Sequence, residues 1–281
     1  MMSWAISQDN SVGPGSLSFD EVTVEIGGVA IQLWTRESGF RRVIEERYEG
    51  FLNPGALPEC RFEIQLTSNR HRADTDEDVS VFKSGSKWCL KRGDFQAEWD
   101  LHTRTGWIRQ CANPYSIDSV LRITHSLLLA TQGGFQLHAS SAIRNGRAFL
   151  FAGVSGTGKT TMAKLAPPDT IVLTDEISYI RRIENGYRAY GTPFAGELQR
   201  PGANQSAPLQ QACLLRQGER NRLRAISPSE AIRCLMRHVL FFARDNELVE
   251  QVLDSVVHFA SSVEVVEMEF TPDRRAWELI Q

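Results

Sequence analysis

Residues 149–161, with the sequence FLFAGVSGTGKTT, constrain the fold of this chain more than any other stretch. Within it, Gly153, Gly158, Lys159 and Thr160 complete the pattern G-x-x-x-x-G-K-[ST]. Such a loop needs glycines because its backbone wraps closely around an anion, toward which successive N–H groups and the lysine charge point. Apolar residues precede the pattern and helix formers follow it, so the stretch predicts a strand that runs into a phosphate-binding loop and then a helix.

The loop predicts a bound nucleoside triphosphate, ATP or another, together with a Mg²⁺ ion that the Thr160 hydroxyl helps to hold. The alternative is a surface loop of glycine, serine and threonine that contains a lysine by chance, and the flanking strand and helix signals count against it. The residues predicted to contact the nucleotide are Gly153, Ser155, Gly156, Thr157, Gly158, Lys159, Thr160 and Thr161.

Length and composition exclude several classes of protein. With 281 residues, 42% of them hydrophobic, the chain can bury one large core, alone or with a small satellite domain. A net charge of −3 gives no global reason to bind nucleic acid or an anionic membrane. No stretch approaches the roughly 20 apolar residues of a membrane helix, no signal peptide is indicated, and the scattered cysteines suit a reducing cytosol. We expect a cytoplasmic protein without nucleic-acid or membrane partners.

Short alternating segments in the first 113 residues predict a smaller N-terminal β-rich domain, residues 1–113. It begins with a loose tail or an edge strand up to about Ser16, contains a helix over residues 39–48, and is interrupted by a polar loop at residues 69–78. Gly27-Gly28 predicts a hairpin turn within residues 22–35. Further strands are predicted at residues 61–67, 79–83, 88–92 and 95–99.

The second predicted domain, residues 114–281, contains the phosphate-binding loop. It opens with a helix that Ser116 is expected to cap. Asn145-Gly146 then predicts a hairpin whose second arm enters the loop. An antiparallel partner directly upstream of the loop indicates the carboxykinase-like branch of P-loop proteins. The predicted fold class is therefore α/β, with a carboxykinase-like P-loop core built on a mixed sheet.

Prolines, turn-forming pairs and helix caps divide the chain after the loop into its predicted elements. Pro167-Pro168 ends the loop helix early, and residues 170–173 predict a buried strand. Asn185-Gly186 predicts a second hairpin. The remaining expectations are a strand pair at residues 212–216 and 222–226 across Gly218, a helix capped by Ser227, a helix near residues 247–259, a strand at residues 263–270, and a final helix capped by Thr271-Pro272.

Asp175 and Glu176 follow the strand predicted after the loop, where ligand-contacting groups of α/β sheets gather. One carboxylate can accept the proton of an attacking hydroxyl while the other holds the metal, and we expect Asp175 to face the acceptor and Glu176 to act through Mg²⁺. The alternative is a solvated pair of turn acids. His138, on the strand that pairs with the one entering the loop, is either a catalytic residue or a packed structural histidine.

A segment rich in glycine and proline, residues 191–197, follows the second hairpin and could supply backbone amides to a substrate, with Arg200 adding a charge. An ordinary connecting loop is the alternative. The candidate substrate residues are Gly191, Thr192, Pro193, Phe194, Glu197 and Arg200. Several arginines in the last third could stabilise a transferring phosphoryl group, and the sequence does not single one out.

Four motifs in this order, LHAS, GVSGTGKTT, LTDEIS and GTPFAGE, resemble the HPr kinase/phosphorylase-related family, particularly its shorter members in peptide-modification gene clusters, such as lasso-peptide serine kinases. The resemblance covers about residue 116 to the C-terminus. It implies a carboxykinase-like core with Lys159 and Thr160 on phosphate and magnesium. It also implies that Asp175 is the catalytic carboxylate, Glu176 the adjacent acid and His138 the active-site histidine, although bacterial HPr kinases carry aspartate where this chain has Glu176.

The sequence therefore predicts an ATP-dependent kinase that phosphorylates a serine hydroxyl of a peptide or small protein, for instance a ribosomal precursor peptide. Lys159 and Thr160 together with Asp175 argue against a regulatory module that binds nucleotide without catalysis. A kinase for a small metabolite remains an alternative. The sequence decides neither the acceptor, nor the nucleotide preference, nor whether the chain forms an oligomer.

Overall fold

A computed structural model describes residues 20–67 and 78–280. The N-terminal segment up to Ser16 and the polar loop predicted at residues 69–78, except for its last residue, lie outside these ranges. The described chain contains two β-rich regions with mixed sheets and helices packed on them, so the protein is an α/β protein.

The first region is one sheet. Its strands are β1 (Asp20–Ile26), β2 (Val29–Thr35), β3 (Cys60–Leu66), β4 (Ser80–Ser84), β5 (Lys87–Arg92), β6 (Phe95–Asp100) and β7 (Thr105–Gln110). The order is β1-β2-β3-β7-β6-β5-β4, in which β3 is parallel to β2 and β7 and the other pairs are antiparallel. The sequence did not predict β7. Its Gly106 packs against the sheet so closely that an added Cβ would lie 2.1 Å from the Glu98 carbonyl oxygen.

Two helices cover this sheet and lead into the second region. Helix α1 (Ser38–Arg47) buries Phe40 and Ile44, and a 3₁₀ helix (Glu49–Phe51) follows it. Helix α2 (Pro114–Thr131) is capped by Asn113, whose side chain accepts the N–H groups of Tyr115 and Ser116. The predicted cap, Ser116, is wrong because Pro114 already occupies the first helical turn, and the Ser116 hydroxyl donates to Asp94 instead.

The second region contains the remaining elements. They are β8 (Gly134–Arg144), β9 (Arg147–Ala152), α3 (Lys159–Lys164), β10 (Ile171–Thr174), β11 (Ile177–Ile183), β12 (Gly186–Tyr190), β13 (Ser206–Gln217), β14 (Arg222–Ala225), α4 (Pro228–Met236), β15 (Val239–Leu240), α5 (Asn246–Ser262), β16 (Glu264–Phe270) and a 3₁₀ helix (Arg274–Leu279). Both predicted Asn-Gly hairpins are confirmed, since β8 pairs with β9 and β11 pairs with β12.

Strand β9, which enters the phosphate-binding loop, has one antiparallel and one parallel neighbour. It is antiparallel to β8 on one side and parallel to β13 on the other. Strands β11 and β12 lie between the long strands β8 and β13. Following the paired strands therefore leads from β8 through β11, β12, β13 and β9 back to β8. This mixed arrangement agrees with the mixed sheet predicted from the sequence.

Three predictions for the last third and the loop region were wrong. Strands β13 and β14 do not pair with each other, because β16 lies between them and pairs with both. The last helix is a 3₁₀ helix capped by Asp273 rather than by Thr271. The strand predicted as buried at residues 170–173 corresponds to β10, which lies at the sheet edge with Ile171 39% exposed.

One apolar cluster extends through both regions, and a second, with Phe151, Met162 and Trp277, lies beneath the loop helix. Polar contacts join the regions as well: the Tyr48 hydroxyl donates to Asp118 at 2.6 Å, and an imidazole nitrogen of His125 lies 3.3 Å from the Val29 carbonyl oxygen. In the described part of the chain, no helix combines the length and apolar character needed to cross a bilayer.

Candidate phosphate-binding cleft

The loop between β9 and α3 has a backbone that only glycine accommodates well. Gly156 and Gly158 have φ angles of +81° and +108°, in the left-handed region. Gly153 is required by close packing, because a Cβ there would lie 2.4 Å from the Thr157 hydroxyl oxygen. A Cβ on Gly158 would lie 2.4 Å from Cζ of the Phe270 ring. The glycines of the motif are therefore explained by the loop conformation itself.

Side chains from several elements fix the loop and α3. The Gln217 amide, at the end of β13, donates to the Gly156 carbonyl at 2.7 Å. The Ser140 hydroxyl of β8 donates to the Lys159 carbonyl at 3.0 Å, and the Trp277 indole donates to the Met162 carbonyl at 3.0 Å. Hydrogen bonds from β13, from β8 and from the C-terminal 3₁₀ helix therefore fix the loop and α3.

Lys159 points its ammonium group back into the loop. The side chain is buried, and Nζ donates to the carbonyl oxygens of Gly153 at 2.9 Å and Val154 at 3.4 Å. Burial lowers the pKa of Lys159, and the carboxylates of Glu176 and Glu197 oppose that shift. The loop thus holds a buried positive charge, and the two carboxylates favour its protonated form.

A cleft of about 290 Å³ opens in front of the loop. It contains the loop lysine, two threonine hydroxyls, an imidazole and two carboxylates. Its lining residues are His138, Ser155, Gly156, Gly158, Lys159, Thr160, Thr161, Glu176 and Glu197. The structure thus brings together most of the predicted nucleotide residues with His138, Glu176 and Glu197.

His138 and Glu176 meet inside this cleft. The register pairs His138 of β8 with Ile177 of β11, so Glu176 lies next to the histidine. The Nε2 atom of His138 is 3.7 Å from Oε2 of Glu176, and both side chains are 35% exposed. The pKa of Glu176 is lowered, first by the interaction with His138 and then by the charges of Arg122 and Lys159, while burial opposes the shift. A carboxylate in this setting is ionised at neutral pH and can accept a proton.

Asp175 has a different position from the one predicted. It is 2% exposed, and its carboxylate accepts the N–H groups of Gly196 at 3.0 Å and Leu198 at 2.8 Å. It lines a different pocket, together with Arg200. The expectation that Asp175 faces the acceptor therefore disagrees with the geometry, because both of its oxygens hold the segment at residues 196–198.

The segment at residues 191–200 mainly packs against and positions Asp175 and Glu176. Gly191, Thr192 and Phe194 are buried, with Phe194 completely inaccessible, so Phe194 presents no surface to a substrate in this structure. Pro193 is buried as well, and of the predicted substrate residues only Glu197 lines the cleft. An added Cβ at Gly196 would lie 2.8 Å from oxygens of both Asp175 and Glu176, which explains a glycine there.

Sequence reasoning missed two residues, His238 and Arg122, that lie near residues of the cleft without lining it. The carbonyl of His238 accepts the His138 N–H at 2.7 Å, and the His238 side chain is near enough to Lys159 and His138 for their charges to lower its pKa, after the larger effect of burial. The guanidinium of Arg122 in α2 lies 4.6 Å from the Phe194 ring centre. No local pattern distinguishes these residues, because each depends on the pairing of distant elements.

No cluster of three or more histidine, cysteine, aspartate or glutamate side chains suited to a metal ion occurs among residues 20–67 and 78–280. A magnesium ion that arrives with a nucleotide takes most of its ligands from phosphate oxygens and water, so it needs only one or two protein groups. Thr160 and the carboxylates of Glu176 and Glu197 are the groups in the cleft with the oxygen chemistry for this.

Comparison with curated proteins finds no match for this chain. The model of one protein family, described as SynChlorMet cassette protein ScmC, matches residues 115–280, which include α2, the loop, both carboxylates and every later element. The matched part exceeds half of the 281 residues. The chain therefore belongs to the ScmC family of SynChlorMet cassette proteins.

Proposed function

We propose that this chain is an ATP-dependent phosphotransferase with a carboxykinase-like P-loop core, and that it phosphorylates a serine hydroxyl of a peptide or small protein. The observation that carries the proposal is the cleft itself, a space of about 290 Å³ that Lys159 and the Glu176–His138 pair line together. A cation that binds phosphate and a carboxylate that accepts a proton are the two groups that such a transfer requires.

Two further features support the nucleotide assignment. The loop has the spacing and the glycine-dependent backbone expected of a phosphate-binding loop. The antiparallel strand β8 next to β9, and the order of the LHAS, GVSGTGKTT, LTDEIS and GTPFAGE motifs, resemble the HPr kinase/phosphorylase-related family. By that resemblance the acceptor is a serine side chain.

The residues present fit a magnesium nucleotide. The cation neutralises phosphate charge when bound. Lys159 would exchange its contacts with the Gly153 and Val154 carbonyl oxygens for phosphate oxygens. The Thr160 hydroxyl and the Glu197 carboxylate would hold the metal, which leaves Glu176 free for the acceptor.

Within this proposal, Glu176 takes the role that the sequence suggested for Asp175. A serine hydroxyl is a weak nucleophile at neutral pH, so its proton must move to a nearby base. Glu176 accepts that proton at a carboxylate oxygen, and His138 orients the carboxylate from 3.7 Å. Asp175 positions the site, because its two accepted hydrogen bonds hold the segment that carries Glu197.

A matched pair of lysine variants tests the proposal. Lys159→Ala should abolish transfer from ATP to serine peptides and weaken binding of a nonhydrolysable ATP analogue in calorimetry. Lys164→Ala, on the exposed face of the same helix, should change neither. Wild-type nucleotide affinity in Lys159→Ala would refute the nucleotide site. Transfer to small hydroxylated metabolites but to no serine peptide would favour the metabolite-kinase alternative.

A further inference from the structure

Arg122 is a partly buried cation of helix α2 that packs on the ring of Phe194. Its guanidinium carbon lies 4.6 Å from the centre of the Phe194 ring, its Nε atom is buried without a hydrogen-bond acceptor, and it forms no ion pair with any described residue. A guanidinium is charged at every physiological pH and offers five donors in a rigid fork. Withdrawing such a group from water costs free energy that only an anion and its acceptor atoms recover well.

Phe194 fixes this guanidinium close to the cleft. The ring is fully buried and belongs to the same segment as Gly196, which contacts Asp175, and Glu197, which lines the cleft. Stacking on the ring orients the guanidinium without using its hydrogen-bond donors. The ring contact therefore uses none of the donors that a ligand could bind.

The charge of Arg122 acts on the carboxylate of Glu176. Arg122 and Lys159 both help to lower the pKa of Glu176. The pKa of Lys159, in contrast, responds to Glu176 and Glu197 and not to Arg122. Together with its contact to Phe194, three residues before Glu197, this places Arg122 near Glu176.

We propose that Arg122 binds a carboxylate of the acceptor, so that the preferred acceptor is an acidic peptide with an aspartate or glutamate within about two residues of its serine. The inference rests on the proposed kinase function and names the substrate class of the same cleft. A carboxylate matches the planar fork in a two-point contact, which a lysine would not reproduce. Binding there places the serine hydroxyl next to Glu176.

Serine peptides in matched pairs test this inference. Each pair has aspartate or asparagine at one position from two residues before to two residues after the serine. The wild type should show a kcat/KM about 10- to 100-fold higher for the best aspartate peptide than for its asparagine partner. Arg122→Gln should remove this preference and leave the KM for ATP unchanged, while Arg122→Lys should retain part of it. Arg233→Gln, a charge change on the exposed face of α4, should behave like the wild type.

The inference is overturned if Arg122→Gln keeps the preference, or if it raises the KM for ATP as much as that for the peptide. Calorimetry of the same peptides, with Mg²⁺ and a nonhydrolysable ATP analogue present, separates this failure from that of the proposed function. Arg122-dependent binding of aspartate peptides without any transfer would refute the kinase and retain the acidic-ligand site. Equal transfer to both members of every pair would retain the kinase and refute the site, and absence of both binding and transfer would refute the two together.

Discussion

The imidazole of His138 and the carboxylate of Glu176 lie 3.7 Å apart, Nε2 to Oε2, although 37 residues separate them in the chain. The distance follows from the antiparallel register of β8 and β11, which pairs His138 with Ile177. A shift of one residue would turn the histidine to the opposite face of the sheet. The pair therefore depends on β-sheet register rather than on a mobile loop.

The first prediction separates the two adjacent carboxylates. Glu176→Gln keeps the size of the side chain and removes its basicity, so turnover should fall about 10²- to 10⁴-fold with little change in thermal stability. Asp175→Asn should instead lower stability by about 1–3 kcal/mol, because a carboxamide presents only one oxygen to the N–H groups of Gly196 and Leu198.

Turnover per folded molecule and urea unfolding of both variants provide the check. If Asp175→Asn unfolds like the wild type and loses turnover as strongly as Glu176→Gln, then Asp175 acts on the acceptor and the sequence-based assignment was the better one.

Local signals explain which parts of this site the sequence could predict. The phosphate-binding loop and both Asn-Gly hairpins depend on residues within a few positions of one another, where backbone conformation selects glycine and asparagine directly. The orientation of Asp175 and Glu176 depends on β10, which lies at the sheet edge against β8. Adjacent residues on a short strand end point in different directions, and only the partner of that strand decides which one reaches the cleft.

A second prediction concerns Gly158, the last glycine of the loop. Gly158 and Gly186 have similar φ angles, +108° and +113°, so alanine meets similar backbone strain at both. The room for a side chain differs between the two positions. A Cβ at Gly158 would lie 2.4 Å from the Phe270 ring, whereas a Cβ at Gly186 would have no atom within 4 Å. Gly158→Ala should therefore cost about 1–3 kcal/mol more stability than Gly186→Ala.

Urea unfolding of the two alanine variants measures that difference. Equal losses would show that backbone strain alone, and not packing against Phe270, accounts for the glycine at position 158.

The contacts between the two β-rich regions could not be predicted from the sequence. Arg47 and Tyr48 end a helix of the first region, yet both bind Asp118 of α2, about 70 positions later. Nothing in the alternation of apolar and polar residues marks Asp118 as buried. Pairing between elements distant in sequence is set by the packing of whole surfaces, which local patterns do not encode.

A third prediction tests this junction. Arg47→Ala leaves the Asp118 carboxylate, only 8% exposed, with the Tyr48 hydroxyl as its remaining partner, and should cost about 1–3 kcal/mol. Arg41→Ala is the control, because Arg41 lies on the same helix and pairs with Asp20 and Glu45 on the exposed surface. Its urea midpoint should hardly change. Equal midpoints for both variants would show that the Arg47–Asp118 pair contributes no more than a surface ion pair.

The last prediction concerns pH and His125, which is completely buried where α2 meets β2. Its Nδ1 atom lies 2.7 Å from the Leu121 carbonyl oxygen, to which the neutral ring donates. Burial lowers the pKa of His125 from 6.5 to about 4, and the contacts with the Leu121 and Val29 carbonyls only partly oppose that shift.

Between these two values the unfolded chain binds a proton that the folded protein excludes, so stability falls as the pH decreases from 6.5 toward 4. The loss should reach about 3 kcal/mol, since one pKa unit corresponds to about 1.4 kcal/mol. His125→Gln can still donate to Leu121 and does not titrate, so its stability should fall less over this range, whereas His102→Gln, at an exposed position, should follow the wild type. Urea unfolding at pH 7.5, 6 and 4.5 measures these differences directly. Parallel curves for the wild type and His125→Gln would contradict the lowered pKa, because a histidine leaves the slope unchanged only when the folded and unfolded states bind its proton equally.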